Sequence, residues 1–183
     1  VKIGETYTDY SQGSVRQTGG TYDLALSGSG FFAVSVTDKA GEVHTRYTRD
    51  GRFHLTKDGL LVDADGNAVQ GQNGNITIDP SSKNVSISAT GQITADGELV
   101  DTLNIVDFED YDYLKKYGDT MYEPVDGATT KDAEGEILQG YTEQSNVNVV
   151  REMVDMITIT RAYEASQKVI HSYDSMLDKS VNQ

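Results

Sequence analysis

The sequence contains no cysteine and no tryptophan, and only two of its 183 residues are proline. Without cysteine, the chain has no disulfide framework, no thiolate metal site and no cysteine nucleophile. Its three histidines form no HExxH motif and no pair at positions i and i+4, which are the usual patterns of a helical zinc site. The GxSxG motif of serine hydrolases is absent as well. We therefore predict a protein that is not an enzyme and has no catalytic residue, no cofactor and no metal ligand.

Positive charge is also scarce. The 15 lysines and arginines face 29 aspartates and glutamates, so the net charge is −14. Nucleic-acid binding needs a basic face, and so does binding to an anionic membrane surface, so this acidic composition argues against both functions. No apolar run reaches the roughly 18 residues that a membrane-spanning helix needs, and no signal peptide is recognisable. The chain starts at Val1, as a fragment of a longer protein would.

Glycine is frequent, with 18 residues, and much of it lies in short turn motifs between alternating apolar residues. An X-Gly pair between β-prone residues is typical of a tight hairpin. Residues 21–36 alternate as strand, turn and strand, and further strands are predicted at 75–78, 84–89, 103–108 and 136–142. The predicted fold is mainly β, with short antiparallel strands in a meander or small barrel. The predicted hairpin turns are TRDGRF (48–53), TKDGLL (56–61), DADGNAV (63–69), ATGQIT (89–94) and ADGELV (95–100).

Two stretches in the second half of the β-rich region have weaker patterns. Residues 109–118 predict a single helical turn that Gly118 closes, because glycine favours the position after a helix. Residues 123–136 are rich in Gly, Asp, Glu and Thr, which predicts a mobile loop.

A long amphipathic helix is predicted over residues 148–181, with Asn148 or Asn146 as its N-cap. Apolar or neutral residues recur there at intervals of three and four, as in a coiled-coil seam. We call its large members the assembly seam: Val149, Met153, Met156, Tyr163, Ile170, Tyr173 and Leu177. The helix carries four basic and five acidic residues, a mixture that suits a partner helix better than a membrane. The partner is an upstream helix, a neighbouring subunit or both, unless the helix lies across the β-rich region.

Three segments follow from these patterns. Residues 1–20 are predicted to be an extended connecting segment, residues 21–140 a β-rich domain, and residues 141–183 a helical segment for assembly.

Other local motifs are better explained by structure than by chemistry. SGSG (27–30) precedes a strand, whereas a phosphate-binding loop opens a helix. DADGN (63–67) resembles the start of a calcium loop, but Gly74 stands where that loop needs a bidentate acid. The tyrosines of residues 111–122 suit packing or a ligand platform. A secreted carbohydrate-active enzyme, with two converging acids, and a binding module that uses these tyrosines are the alternative functions.

Three blocks of the sequence resemble the axial proteins of the bacterial flagellum, the rod, hook and hook-associated family. Residues 7–34 contain SQG and DLALSGSGFF, and residues 47–71 contain YTRDGRF and GLLVDADG. The third block is QGYTEQSNVNVV followed by RAYE. Its signature residues are Gly140, Ser145, Asn146, Val147, Asn148, Arg161, Ala162, Tyr163 and Glu164. Within the family the blocks most resemble the distal rod protein, and a proximal rod or hook-type subunit is the alternative.

This resemblance implies a structural subunit of the flagellar basal body that polymerises with itself and with other axial proteins. It also implies export by the flagellar type III pathway, and an N-terminal helix, not present in this sequence, that pairs with the terminal helix in the core of a tube. Polymerisation would be head-to-tail and open-ended, and the rod would transmit torque as a stiff shaft.

Overall fold

The computed structural model describes residues 8–181, and within the terminal helix it describes no side chain of residues 174 and 178–181. The described residues divide into two compact units between Gln144 and Ser145. The first unit is made of antiparallel strands and the second is one α-helix, so the predicted fold class is confirmed. Among the described residues, no helix has the length and apolar character to cross a membrane.

The β unit contains short strands joined by tight turns. They are β1 (Val15–Gln17), β2 (Leu24–Ser27), β3 (Phe31–Thr37), β4 (Val43–Thr48), β5 (His54–Leu55), β6 (Leu61–Val62), β7 (Ala68–Gly71), β8 (Gly74–Asn75), β9 (Val85–Ile87), β10 (Gln92–Ala95), β11 (Glu98–Thr102), β12 (Ile105–Phe108), β13 (Leu114–Tyr117), β14 (Met121–Pro124), β15 (Thr130–Asp132), β16 (Glu136–Gln139) and β17 (Tyr141–Glu143).

Strand β3 lies at the centre of the largest sheet. It pairs with β4, β7 and β12, and the sheet runs in the order β13-β14-β4-β3-β7-β6-β5, with β15 added to β12 and β8 to β7. The smaller sheets are β11-β10-β9, β16-β2 and β1-β17. The apolar run FFAVSV explains this central place, because strands that are covered on both faces need continuous apolar sequence.

Four of the five predicted turns join paired strands. The turns at Gly59, Gly66 and Gly91 each place the glycine at positive φ, and at the β10–β11 turn both Asp96 (φ 51°) and Gly97 (φ 91°) are positive. The TRDGRF prediction was wrong, because β4 and β5 do not pair with each other. Instead the Gly51 carbonyl accepts a hydrogen bond from the Leu24 amide at 2.9 Å. The TRDGRF segment is therefore an irregular turn, and at Gly51 it lies directly against the backbone of Leu24.

Residues 109–136 are more ordered than predicted. A 3-10 turn forms at Tyr111–Tyr113, but Gly118 closes the β13–β14 hairpin rather than a helix. The predicted loop at 123–136 contains the end of β14 and all of β15, which pairs with β12. Pattern reasoning failed here because β15 is exposed on every residue and so has no apolar alternation.

Two apolar clusters hold the β unit together. The larger contains Leu24, Phe32, Leu61 and Ile93 among its fully buried members. The smaller is built on Phe31 and Phe108, and several tyrosines cover it. Adjacent Phe31 and Phe32 point to opposite faces of β3, so this strand contributes to both clusters.

The second unit is the α-helix α1 (Val149–Val181). Asn148 is its N-cap: the side chain accepts a hydrogen bond from the Arg151 amide at 3.2 Å. The β-prone ITIT run stays helical, and the hydroxyls of Thr158 and Thr160 donate to the carbonyls of Val154 and Met156.

We predict that Gly51→Ala destabilises the β unit more than Gly66→Ala. A Cβ on Gly51 would lie 1.8 Å from the Leu24 carbonyl oxygen, whereas one on Gly66 meets nothing within 4 Å and costs only the strain of its positive φ. Overpacking at position 51 should lower the free energy of unfolding by about 1–3 kcal/mol or more, whereas the strain at position 66 should lower it by about 1 kcal/mol. Urea unfolding followed by near-UV circular dichroism measures both, and equal losses would contradict the close approach.

Candidate assembly site: a clasp on the β unit and an exposed helix

The two ends of the β unit form an antiparallel ribbon. Strand β1 pairs with β17 in the register Val15–Glu143, Arg16–Thr142 and Gln17–Tyr141. A further hydrogen bond of 2.8 Å runs from the Gln144 amide to the Ser14 carbonyl. Because paired antiparallel strands place their outer ends together, the segment before Ser14 and the segment after Gln144 leave this ribbon at the same end.

Arg49 fixes this ribbon to the central sheet. Its Nε donates to Glu143 Oε2 at 3.0 Å, and its two terminal nitrogens donate to the carbonyls of Gly30 (3.0 Å) and Gly28 (2.9 Å). The guanidinium also lies 5.9 Å from the centre of the Phe31 ring. Only the planar fork of arginine supplies several donors in fixed directions. We call this arrangement the clasp.

Glu143 completes the clasp from the other side. Its second carboxylate oxygen, Oε1, accepts a hydrogen bond of 2.8 Å from the Gly13 amide. The Arg49 side chain is 16% exposed and that of Glu143 is 9% exposed, so the pair is largely removed from water. Removing one member of such a pair leaves an uncompensated charge and costs about 3–5 kcal/mol.

Gln12 ties the incoming segment to the turn between β2 and β3. Its Nε2 donates to the Leu26 carbonyl at 2.8 Å, and its Oε1 accepts from the Gly28 amide at 3.1 Å. Gly28 and Gly30 both have positive φ, and a Cβ on either would lie less than 3 Å from the 133–135 segment. The SGSG motif is thus a tight turn that presents two carbonyls to Arg49, as the hairpin interpretation predicts.

A second set of bonds holds the bend at Gly140. The amides of Thr18 and Gly19 donate to the Gly140 carbonyl at 2.8 and 3.0 Å, and the Gly140 amide donates to the Asp23 carbonyl at 2.8 Å. Gly140 has φ of 81°, so a side chain there would be strained. The bend separates β16, which pairs with β2, from β17, which pairs with β1.

Tyr10 anchors the segment that precedes the ribbon. Its ring packs against Phe31, Tyr111 and Tyr122 at centroid distances of 6.3, 5.0 and 5.2 Å. Its hydroxyl donates to the Leu114 carbonyl at 3.3 Å. Tyr111 and Tyr122 of the predicted tyrosine cluster therefore serve as packing, which favours the core interpretation over a ligand platform.

A buried carboxylate lies beneath this aromatic cluster. Asp107 is fully buried and accepts a hydrogen bond from the Tyr111 hydroxyl at 2.8 Å, and Lys131 Nζ lies 3.2 Å from its Oδ2. Burial alone would raise the pKa of Asp107, but hydrogen bonds from Tyr111, Ser29, Phe108 and Lys131 outweigh it and lower the pKa. Burial, together with the bond to Asp107, raises the pKa of Tyr111 to about 12.

The terminal helix exposes every large apolar side chain that the structure describes between Val149 and Leu177. The seam residues Val149, Met153, Met156, Tyr163, Ile170, Tyr173 and Leu177 are 58–67% exposed. Val150, Val154, Ile157, Ile159, Val169 and Met176 are exposed to a similar degree. Contiguous apolar surface on this scale marks an interaction site.

The predicted signature residues serve the junction and the helix. Gly140 forms the bend, Ser145 accepts a bond of 3.2 Å from the Val147 amide, and Asn148 caps the helix. Asn146 makes an interaction of its own. On the helix, Arg161, Ala162, Tyr163 and Glu164 are exposed, and Gln167 donates to the Tyr163 hydroxyl at 3.3 Å.

Sequence reasoning missed the clasp itself. Arg49, Gln12 and Glu143 lie in three different blocks of the family resemblance, and the structure brings them together. The one signal for these residues in the sequence was that each lies in a block shared with the family. Periodicity and spacing describe neighbours along the chain, so they cannot show that Arg49 contacts Glu143, which is 94 positions away.

One group among the described residues has the composition of a metal site. Asp38, Glu42 and His44 place ligand atoms within 4.8 Å of one another at the β3–β4 turn. The Asp38 carboxylate already accepts bonds from the amides of Ala40 and Glu42, and its other oxygen lies 3.4 Å from His44. These contacts account for the group as a tight turn in which the Asp38 carboxylate is bonded by backbone amides and lies beside His44.

We predict that Arg49→Lys loosens the ribbon even though the charge is kept, because lysine cannot reach Glu143, Gly28 and Gly30 in one geometry. Hydrogen exchange at the Gly13 and Gln144 amides should speed up at least tenfold. Arg52→Lys is the matched control, since the Arg52 side chain is 64% exposed and forms its salt bridge with nearby Asp50. Unchanged exchange in Arg49→Lys would show that the clasp does not hold the ribbon.

We predict that the β unit loses stability as the pH rises from 10 towards 12. The pKa of Tyr111 is about 12 in the folded state against 10.0 for the free side chain, so the unfolded chain releases this proton first. The contribution is complete below pH 10 and fades above it. Tyr111→Phe should flatten this part of a denaturation curve against pH, while Tyr113→Phe, at a 42% exposed position, should not.

Comparison with known proteins agrees with this geometry. Residues 138–183 match the family described as flagellar basal body rod FlgEFG protein C-terminal, and residues 25–95 match the flagellar hook protein FlgE/F/G D1 domain. The chain is 36% identical to the flagellar basal-body rod protein FlgG of Buchnera aphidicola subsp. Schizaphis graminum, over 93% of this chain and 68% of that protein. It is 32% identical to FlgG of Bacillus subtilis, over 98% and 71% of the two chains. It is 37% identical to the rod protein FlgF of Caulobacter vibrioides, over 88% and 65%. The chain therefore belongs to the family of flagellar basal-body rod proteins, which are structural proteins of the basal body and not enzymes.

Proposed function

We propose that this protein is a torque-transmitting subunit of the flagellar rod, of the distal type that its motif blocks resemble, and that it polymerises head-to-tail with its terminal helix in the core of a tube. Membership of the rod family implies assembly with other flagellar axial proteins. The observation that carries the finer proposal is the exposed assembly seam, whose apolar residues are 58–67% exposed.

The assembly seam needs a partner of its own length. The helix spans 33 residues, or about 50 Å, and its apolar residues recur at coiled-coil spacing. No other α-helix occurs among residues 8–181, so within the described chain nothing of matching length can cover it. We propose that the partner is a helix that lies upstream of residue 1 in the full protein.

The ribbon supports this pairing. Since the chain on either side of β1 and β17 leaves the ribbon at one end, the segment that leads back to an upstream helix lies beside the segment that leads towards α1 at that end. The clasp would keep the two segments in register under load.

Stiffness would come from the same contacts. The β unit reaches the ribbon through the buried Arg49–Glu143 pair, through strand pairing and through Tyr10 in its aromatic pocket. A shaft that transmits torque needs such a connection, because a flexible linker would absorb rotation between the outer and inner parts of the tube.

The direct test is assembly of the full-length protein that includes the upstream segment. We predict tubes or fibres by electron microscopy, and we predict that Met156→Asp and Ile170→Asp each abolish them. The reason is that a charge in a seam loses its hydration when the partner packs. The β unit should keep its unfolding transition in both variants, since these residues are 67% and 59% exposed.

The matched controls are Thr158→Asp and Ser172→Asp. Both add the same charge to exposed positions that lie outside the assembly seam. Normal fibres from the seam variants, or equal loss from the controls, would contradict the proposed role of the seam.

A further inference from the structure

Sulfur occurs in this sequence only as methionine, since there are four methionines and no cysteine. Met121 lies on β14, in the larger apolar cluster of the β unit, and it is 6% exposed. Met153, Met156 and Met176 lie on the terminal helix and are 58%, 67% and 63% exposed. The thioether groups are therefore divided between one protected site in the β unit and three accessible sites on α1.

Met153 and Met156 form a pair on one face of the helix. They are three residues apart, a spacing that makes side chains neighbours on a helix surface, and both belong to the assembly seam. No aromatic residue occurs on α1 before Tyr163, so no ring one turn away on the helix can cover either sulfur atom. We call Met153 and Met156 the thioether pair.

Hydrogen peroxide converts an exposed thioether into a sulfoxide. The sulfur lone pair attacks one oxygen of the peroxide, and the O–O bond breaks as the S–O bond forms. The proton of the transferred oxygen then moves to the departing hydroxide, which leaves as water. The sulfur is oxidised and the peroxide is reduced, so no further reactant is needed. An apolar side chain has become a polar and chiral one.

We infer that the thioether pair is a modification site, at which oxidation of the free subunit by hydrogen peroxide blocks assembly. The inference rests on the proposed function, because it requires that the assembly seam is buried against a partner. A sulfoxide oxygen that enters such a seam loses its hydrogen bonds to water and gains none from apolar neighbours. Each sulfoxide should therefore raise the protein concentration that assembly requires by roughly tenfold or more.

The effect of peroxide depends on when it meets the protein. In a free subunit both sulfur-bearing side chains of the thioether pair are exposed, whereas the proposed partner of the seam would cover them in the polymer. Peroxide would thus remove free subunits from assembly and leave finished polymer unchanged. Reductases that act on methionine sulfoxide restore the apolar side chain, so the block is reversible.

The test treats the free full-length protein with hydrogen peroxide and then measures fibre growth by light scattering and electron microscopy. Peptide mass spectrometry should find sulfoxide at Met153 and Met156 well before it appears at Met121. The treated protein should form no fibres at a concentration that suffices for untreated protein, and methionine sulfoxide reductases should restore growth. The same peroxide should leave finished fibres intact.

The variant Met153→Leu/Met156→Leu removes both thioethers and keeps the volume and apolar character of the side chains, so it should form fibres. Peroxide treatment should not change its growth. The matched control is Met176→Leu, which removes a similarly exposed thioether that lies outside the assembly seam. It should remain as sensitive to peroxide as the original chain.

The outcomes separate this inference from the proposed function. Normal growth of the original chain with sulfoxide at both Met153 and Met156 overturns the inference and leaves the rod proposal intact. Loss of growth in peroxide-treated Met153→Leu/Met156→Leu does the same. If the untreated full-length protein forms no fibres at all, the proposed function fails and the inference fails with it.

Discussion

The buried pair of Arg49 and Glu143 is the constraint on which the rest of the β unit depends. Two charges with side chains 16% and 9% exposed are stable only if nearly every donor and acceptor finds a partner. That requirement explains why the β2–β3 turn carries Gly28 and Gly30, whose carbonyls must approach the guanidinium. It also explains why the incoming chain passes Glu143 with a free amide, which Gly13 supplies. Three distant stretches of sequence are thus fixed to one another by a single side-chain fork.

In a torque-transmitting subunit of the proposed kind, the clasp would define a short path for force through the molecule. The helix follows the ribbon with only residues 145–148 between Gln144 and Val149, so tension on the helix reaches β17 first. From β17 it passes to β1 through the ladder, and to the loops that flank β2 through Arg49. Phe31 then carries it into β3, which pairs with three other strands of the largest sheet. Each step is a cooperative ladder or a desolvated contact, and such contacts open less readily than exposed side-chain contacts do.

The sequence predicted local structure well wherever a local rule decided it. The alternation of apolar and polar residues predicted β2 and β3, and the X-Gly motifs predicted four hairpins. Apolar residues at intervals of three and four, together with Asn148 as the N-cap, predicted the helix. The failures share a cause: TRDGRF has the composition of a hairpin, but the approach of Leu24 forces Gly51 into another role. The exposed strand β15 is held by its pairing with β12, which has no local signature. The clasp was invisible for the same reason, because its members are far apart in sequence and no spacing rule connects them. The seam, by contrast, is a property of one helix and needs no tertiary information.

The charge distribution explains how an acidic protein can pack helices closely. Of the net charge of −14, residues 145–183 carry only −1, because four basic and five acidic residues lie there. Repulsion between copies therefore falls mainly on residues 1–144, where water and salt can screen it. The helix itself has little repulsion to overcome and a large apolar surface to bury. A helix with β-branched residues at Ile157, Thr158, Ile159 and Thr160 gains little from intrinsic propensity, so most of its stability must come from packing. Under the proposed assembly, folding of this unit and polymerisation would form one linked equilibrium, in which each partner that binds the helix also stabilises it.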